Sequence, residues 1–114
     1  MGKDQTNLLA EYKAHLVTWN KTHNLISKKQ AQKIDDHIAD SLIISPFLNK
    51  NIIDLGSGGG LPGIPLAIIN PDKEFYLIES NTKKSSFLLH TTSRLSLENT
   101  SVINQRIEKV ETKT

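Results

Sequence analysis

The chain has 114 residues, 14 lysines and arginines against 12 acidic residues, a formal charge of +2, 37% hydrophobic residues and no cysteine. That is room and composition for one modest globular core; the missing cysteines exclude disulfides, thiolate zinc sites and cysteine nucleophiles, and no metal centre is expected. Apolar runs such as Ile64 to Ile69 fall far short of the roughly 20 residues of a membrane span, and Met1 to Asn7 lacks the apolar core of a signal peptide, so a reducing, cytoplasmic setting without membrane contact is expected.

Leu8, Leu9, Tyr12, Leu16 and Trp19 recur at helical spacing, with Glu11, Lys13 and Thr18 on the other side, and predict an amphipathic first helix. Residues Asn20 to Lys29 read as a loop or short turn, followed by a second helix over about Ala31 to Phe47 whose end Pro46 marks or bends. Residues 1–48 thus form a helical lead-in. After the turn-rich Asn49-Lys50-Asn51, Ile52 to Leu55 predicts a short buried strand, and Gly56 to Gly60 ends it. A helix is expected from near Pro62 to Ile69, a second strand over Glu74 to Ile78, a third helix from about Thr82 to Leu95 capped by Asn81, and a third strand over Ser101 to Asn104. Residues 49–114 therefore read as β-α-β-α-β, an α/β arrangement with a parallel sheet and right-handed crossovers, and the whole chain as one domain.

Gly56, Gly58 and Gly60 let the backbone turn sharply and aim its N–H groups at a ligand ahead of a helix N-terminus, as in nucleotide-like cofactor sites. Glu79 stands 23 positions after Gly56, close to the roughly 20 at which an acidic residue ends the second strand and holds ribose hydroxyls. Shifted by one glycine, Gly58 to Gly63 also satisfies the G-x-G-x-x-G spacing of nicotinamide enzymes, so the glycines alone do not choose the cofactor. No Gly-Lys-Ser/Thr follows them, which argues against a P-loop.

The stretch Ile52-Ile53-Asp54-Leu55-Gly56-Ser57-Gly58-Gly59-Gly60-Leu61-Pro62-Gly63-Ile64-Pro65-Leu66-Ala67 resembles the signature of the ribosomal RNA small-subunit methyltransferase G family, also known as glucose-inhibited division protein B, and its two prolines make the match specific. Flanking pieces agree in order: Trp19-Asn20-Lys21 with Asn24-Leu25, His37-Ile38-Ala39-Asp40-Ser41, Lys83-Lys84 with Phe87-Leu88, Leu97-Glu98-Asn99 and Arg106-Ile107-Glu108. The resemblance spans roughly residues 8 to 111. It implies a Rossmann-like S-adenosylmethionine-dependent methyltransferase fold with a helical lead-in, acting on N7 of one guanine of 16S ribosomal RNA near the decoding region of the small ribosomal subunit.

Carried over by position, the resemblance implies that Gly56 and Leu61 line the cofactor, that Gly58 and Gly60 let the loop pass its methionine part, and that Glu79 meets the ribose hydroxyls. Ile107 and Glu108 fall at the adenine end, though Glu108 also fits a plain surface residue. His37, Asp40 and Ser41 match a motif beside the cofactor cleft, although His37 and Asp40 also stand where they can pair with each other. Asp54 either caps the glycine turn or approaches the cofactor; Lys83 and Lys84 either meet RNA phosphates or are solvated. Trp19 reads as a packing residue and not as a base-stacking platform. No catalytic residue is expected, because guanine N7 carries a lone pair and no proton, and the sulfonium donor is already activated. Family members continue for roughly another half of their length, so the resemblance implies a fold truncated after the third strand, with the outer edge of the first strand unpaired and little or no activity from this chain alone. The alternative is an inactive remnant that binds cofactor or RNA weakly.

Overall fold

The computed structural model describes residues 2–56 and 58–105. Helix α1 (Lys3–His23) buries Leu9, Tyr12 and Leu16, three residues on one helical stripe. It is longer than the apolar spacing predicts, because Asn24 takes the left-handed conformation at φ 49° and closes the helix with its N–H on the Asn20 carbonyl. The Asn20 side chain then accepts from Ile26 N–H at 2.9 Å, so the expected loop shrinks to a tight turn.

The second predicted helix is two. Ser27 Oγ accepts from Gln30 N–H at 3.1 Å while Gln30 Oε1 accepts from Ser27 N–H at 3.0 Å, a reciprocal cap that starts α2 (Lys28–Gln32) earlier than expected. Lys33 leaves helical geometry at φ −118°, and α3 (Ile34–Ile43) begins after it. The tract expected to stay helical to Phe47 ends in a single 3-10 turn (Ser45–Phe47), since Pro46 has no N–H to continue the helix.

Strands β1 (Asn51–Leu55), β2 (Glu74–Ile78) and β3 (Thr100–Ile103) form a parallel sheet in that order, with Ile53 beside Tyr76 and Tyr76 beside Ser101. They are joined through α4 (Gly63–Ile69) and α5 (Thr82–Arg94), so the chain is α/β with the Rossmann-like alternation expected. One face of the sheet carries Phe75 and Leu77, both fully buried with Leu16, Ile64, Phe87 and Leu88. Each such side chain contributes about 1.5–3 kcal/mol on leaving water. On the other face, Ile53 and Leu55 are each 53% exposed, and no residue of β1 is buried, so β1 is not the buried strand its composition predicts but an edge strand open on one face.

Two asparagines close the far end of the sheet. Asn99 Nδ2 donates to the Ala67 and Asn70 carbonyls at 3.0 and 2.9 Å, and Asn70 Nδ2 donates to Leu66 O and Ser45 Oγ. These bonds take up carbonyls that the end of α4 leaves without helical partners and tie the 3-10 turn to it. No helix among the described residues is long and apolar enough to cross a membrane.

Helices α1 and α5 meet along a seam with a step of four residues on α1 and of four, then three, on α5. Glu11 faces Arg94 at 3.6 Å, and His15 Nε2 lies 3.0 Å from His90 Nδ1. One turn further, Trp19 packs edge-on to Phe87 at 5.6 Å between ring centres, so Trp19 is a packing residue as predicted. Burial, then His90 and Arg94, hold the His15 pKa below the ordinary histidine value, with Glu11 opposing them. The unfolded chain therefore takes up a proton near pH 6.5 while the folded chain resists it, and stability present above that pH is lost as pH falls through it. We expect Tm to be lower at pH 5.5 than at pH 7.5, and the drop to be smaller in His15→Phe; equal drops in both proteins would show that the histidine rung has no part in it.

Candidate cofactor site

The glycine loop leaves the C-terminal end of β1 and turns through three positive φ values, +70° at Gly56, +51° at Gly58 and +90° at Gly60. What surrounds the glycines divides them. A Cβ on Gly56 would meet nothing, and one on Gly58 only the loop's own Gly56 carbonyl at 3.8 Å. This side of the loop is open. A Cβ on Gly59 would lie 2.8 Å from Ile26 Cγ2, and one on Gly60 2.6 Å from Ile64 Cδ1, so these two face the protein. Gly60 therefore serves packing against Ile64 as well as the turn.

Glu79, just past β2, is 7% exposed, and its carboxylate spans the loop and the next helix. Oε1 accepts from Gly58 N–H at 2.7 Å and Oε2 from Asn81 N–H at 2.9 Å. Asn81 in turn caps α5 through Lys84 N–H at 3.0 Å, as its position before the helix predicts. A carboxylate has about four acceptor positions, so two used by amides leave others for a ligand's hydroxyls.

Asp54 Oδ2 accepts from Gly63 N–H at 3.1 Å, a bond to the first turn of α4 and not to the Gly56–Gly60 turn that the sequence offered it. Gly63 is needed there: a Cβ would stand 2.6 Å from Asp54 Oδ2 and also strike Leu77. The shifted G-x-G-x-x-G pattern thus has a packing reason at its last glycine.

Behind the loop, Tyr12 is fully buried and its hydroxyl donates to the Gly59 carbonyl at 2.6 Å. Burial, then the Asp54 charge, push its pKa up, so the hydroxyl keeps its proton for this bond. Sequence reading placed Tyr12 on the apolar stripe and missed this contact; the signal was a polar tip on a buried face, which needs a partner.

His37, Asp40 and Ser41 come together on α3 and line a cleft of about 350 Å³ with Leu61 and Pro62 of the loop. No ion pair or hydrogen bond joins the His37 and Asp40 side chains among the described residues; Ser41 Oγ instead donates to the His37 carbonyl at 2.8 Å. Lys83 is exposed and Lys84 half-buried, both in the first turn of α5 close to Glu79. Ile107 and Glu108 lie outside the described residues.

A family model described as rRNA small subunit methyltransferase G matches residues 5–114. The chain belongs to the rRNA small subunit methyltransferase G family. It is 48% identical over 108 residues to the "Ribosomal RNA small subunit methyltransferase G" of Shewanella amazonensis (strain ATCC BAA-1098 / SB2B), covering 93% of this chain and 52% of the relative. Against the protein of the same name from Dichelobacter nodosus (strain VCS1703A) the identity is 46% over 104 residues, 89% of this chain and 49% of the relative. The one from Pseudomonas entomophila (strain L48) is 40% identical over 115 residues, 97% of this chain and 53% of the relative. The chain spans about half the length of the curated relatives it matches. Several pieces of the family signature prove to be framework: Asn20 folds a turn, Asn99 closes α4, and Asp54 with Gly63 seats α4 on the sheet.

Gly63→Ala is expected to cost about 1–3 kcal/mol, the range for overpacking a filled site, in spite of alanine's better helix propensity. Urea unfolding measures it; a variant as stable as the parent would show that α4 is not seated as closely as Gly63 implies.

Proposed function

We propose that this chain forms the S-adenosylmethionine-binding half of an enzyme that methylates N7 of a guanine in 16S ribosomal RNA of the cytoplasmic small subunit. The observation that carries the reading is the open side of the loop at Gly56 and Gly58, next to the buried Glu79 carboxylate, in a chain of this family. The residues present fit the cofactor at its ribose: the Glu79 carboxylate, with two acceptor positions used by Gly58 and Asn81 N–H, has others to spare for ribose hydroxyls beside the open Gly56 and Gly58.

Gly56 and Leu61 would line the cofactor, Gly58 would let its methionine part pass, and Glu79 would accept from the ribose hydroxyls while holding Gly58 in place. Ile107 and Glu108 would lie toward the adenine. When bound, S-adenosylmethionine would supply a methyl group already activated for transfer by its sulfonium, for which guanine N7 offers a lone pair. The protein has no proton to remove, so its own residues orient the base, exclude water and neutralise phosphates, the last a role for Lys83 and Lys84. A second reading, a chain that binds cofactor or RNA weakly without turnover, is favoured by the exposure of Ile53 and Leu55 on the open face of β1.

Calorimetric titration of residues 1–114 tests the cofactor assignment. S-adenosylmethionine is expected to bind and NADH not, and Glu79→Gln to weaken binding roughly tenfold, the equivalent of about one charge-assisted hydrogen bond. Binding of NADH in place of S-adenosylmethionine, or a Glu79→Gln variant that folds and binds as well as the parent, would overturn it.

A further inference from the structure

The cleft between α3 and the loop has a mixed lining, apolar at Ile44, Leu61 and Pro62 and polar at Gln30, His37, Asp40 and Ser41. At about 350 Å³ it lies within the range of about 300–1,000 Å³ in which pockets take small organic ligands. Apolar side chains with a few hydrogen-bonding groups among them suit a heterocyclic base, and the cleft adjoins the loop through Leu61 and Pro62.

Resting on the methyltransferase reading above, we propose that this cleft takes the target guanine and that the Asp40 carboxylate selects it by its Watson–Crick edge. That edge carries two adjacent N–H donors, N1–H and N2–H, which a carboxylate accepts in parallel; an adenine presents an acceptor at N1 and is rejected. The edge also lies across the purine from N7. A base held by Asp40 therefore turns N7 toward the glycine loop, where the methyl donor is placed, whereas a grip on the N7 and O6 edge would cover the reacting atom. Flipped bases are read through this edge in enzymes that do chemistry on them.

The neighbours support the assignment. Asp40 is exposed, and no ion pair or hydrogen bond engages its carboxylate among the described residues. Gln30 has its side-chain oxygen committed to Ser27 N–H at 3.0 Å, which leaves its amide N–H groups as donors for guanine O6. Ser41 lines the cleft with its hydroxyl proton committed to the His37 carbonyl at 2.8 Å, so it has no donor to offer the base. Asp40 is thus a specificity-determining residue, and Gln30 its partner.

The test is NMR titration of isotope-labelled residues 1–114 with GMP, IMP and AMP, each with and without S-adenosylmethionine. IMP keeps N1–H and lacks the N2 amino group. The expected order of affinity is GMP, then IMP, then AMP, with shifts centred on the backbone amides of Gln30, His37, Asp40 and Leu61. Asp40→Asn should bring GMP and AMP to within about twofold of each other, because the new amide N–H opposes the base's donors, while binding of S-adenosylmethionine is unchanged. Equal shifts from GMP and AMP in the parent chain, shifts located elsewhere, no shifts, or an Asp40→Asn variant that keeps the preference would each overturn the proposal. Failure with S-adenosylmethionine still bound defeats the guanine assignment alone; loss of S-adenosylmethionine binding with the guanine preference intact defeats the cofactor assignment alone.

Discussion

Among the described residues, one hydrogen bond, from the Tyr12 hydroxyl to the Gly59 carbonyl, joins the helical lead-in to the glycine loop. Three positive φ values in five residues make a loop whose shape its own sequence does not hold, since glycine has the most conformations to lose. Something outside the loop must select one shape. Tyr12 does so from behind, and the bond is strong for a physical reason: donor and acceptor are buried together, so breaking it leaves two polar groups without water. Leu16 and Ile26 add contact, both within reach of a Cβ on Gly59.

Glu79 works on the same loop from the other side. Its two oxygens hold Gly58 N–H and Asn81 N–H, so the end of β2 is tied to both the glycine loop and the start of α5. Asp54 does the equivalent for α4 through Gly63 N–H. The outcome is a loop fixed on its protein side by Tyr12, Asp54 and Glu79, and open at Gly56 and Gly58. A preorganised site of this kind spends little of a ligand's binding energy on ordering the chain.

The sheet and its crossovers were legible because their signals are local and agree with each other: β-branched Ile52 and Ile53 before glycines, Asn81 before the α5 stripe, Asn70-Pro71-Asp72 before β2. The helical lead-in was read less well. Its breaks depend on side-chain caps, Ser27 with Gln30 and Asn20 with Ile26, that periodicity does not report. At the site, the glycines and Glu79 could be found from spacing, but which glycine faces outward could not, because that depends on Ile26, Ile64 and Leu77 arriving from other elements. Tyr12 was missed for the same reason, its partner lying 47 residues away. The family resemblance located Asn20 and Asn99 without disclosing that they are framework.

Amide hydrogen exchange on residues 1–114, followed by NMR in the parent and in Tyr12→Phe, tests the central claim most directly. Gly58 N–H is bonded to Glu79 and Ile64 N–H to the Gly60 carbonyl, so both report on the loop, while Phe75 and Leu95 N–H report on the sheet and α5. Faster exchange at Gly58 and Ile64 in Tyr12→Phe, with Phe75 and Leu95 little changed, is the result the account predicts. Loop amides exchanging at the parent's rate would contradict it, and would mean that the glycines hold their shape without the helix behind them.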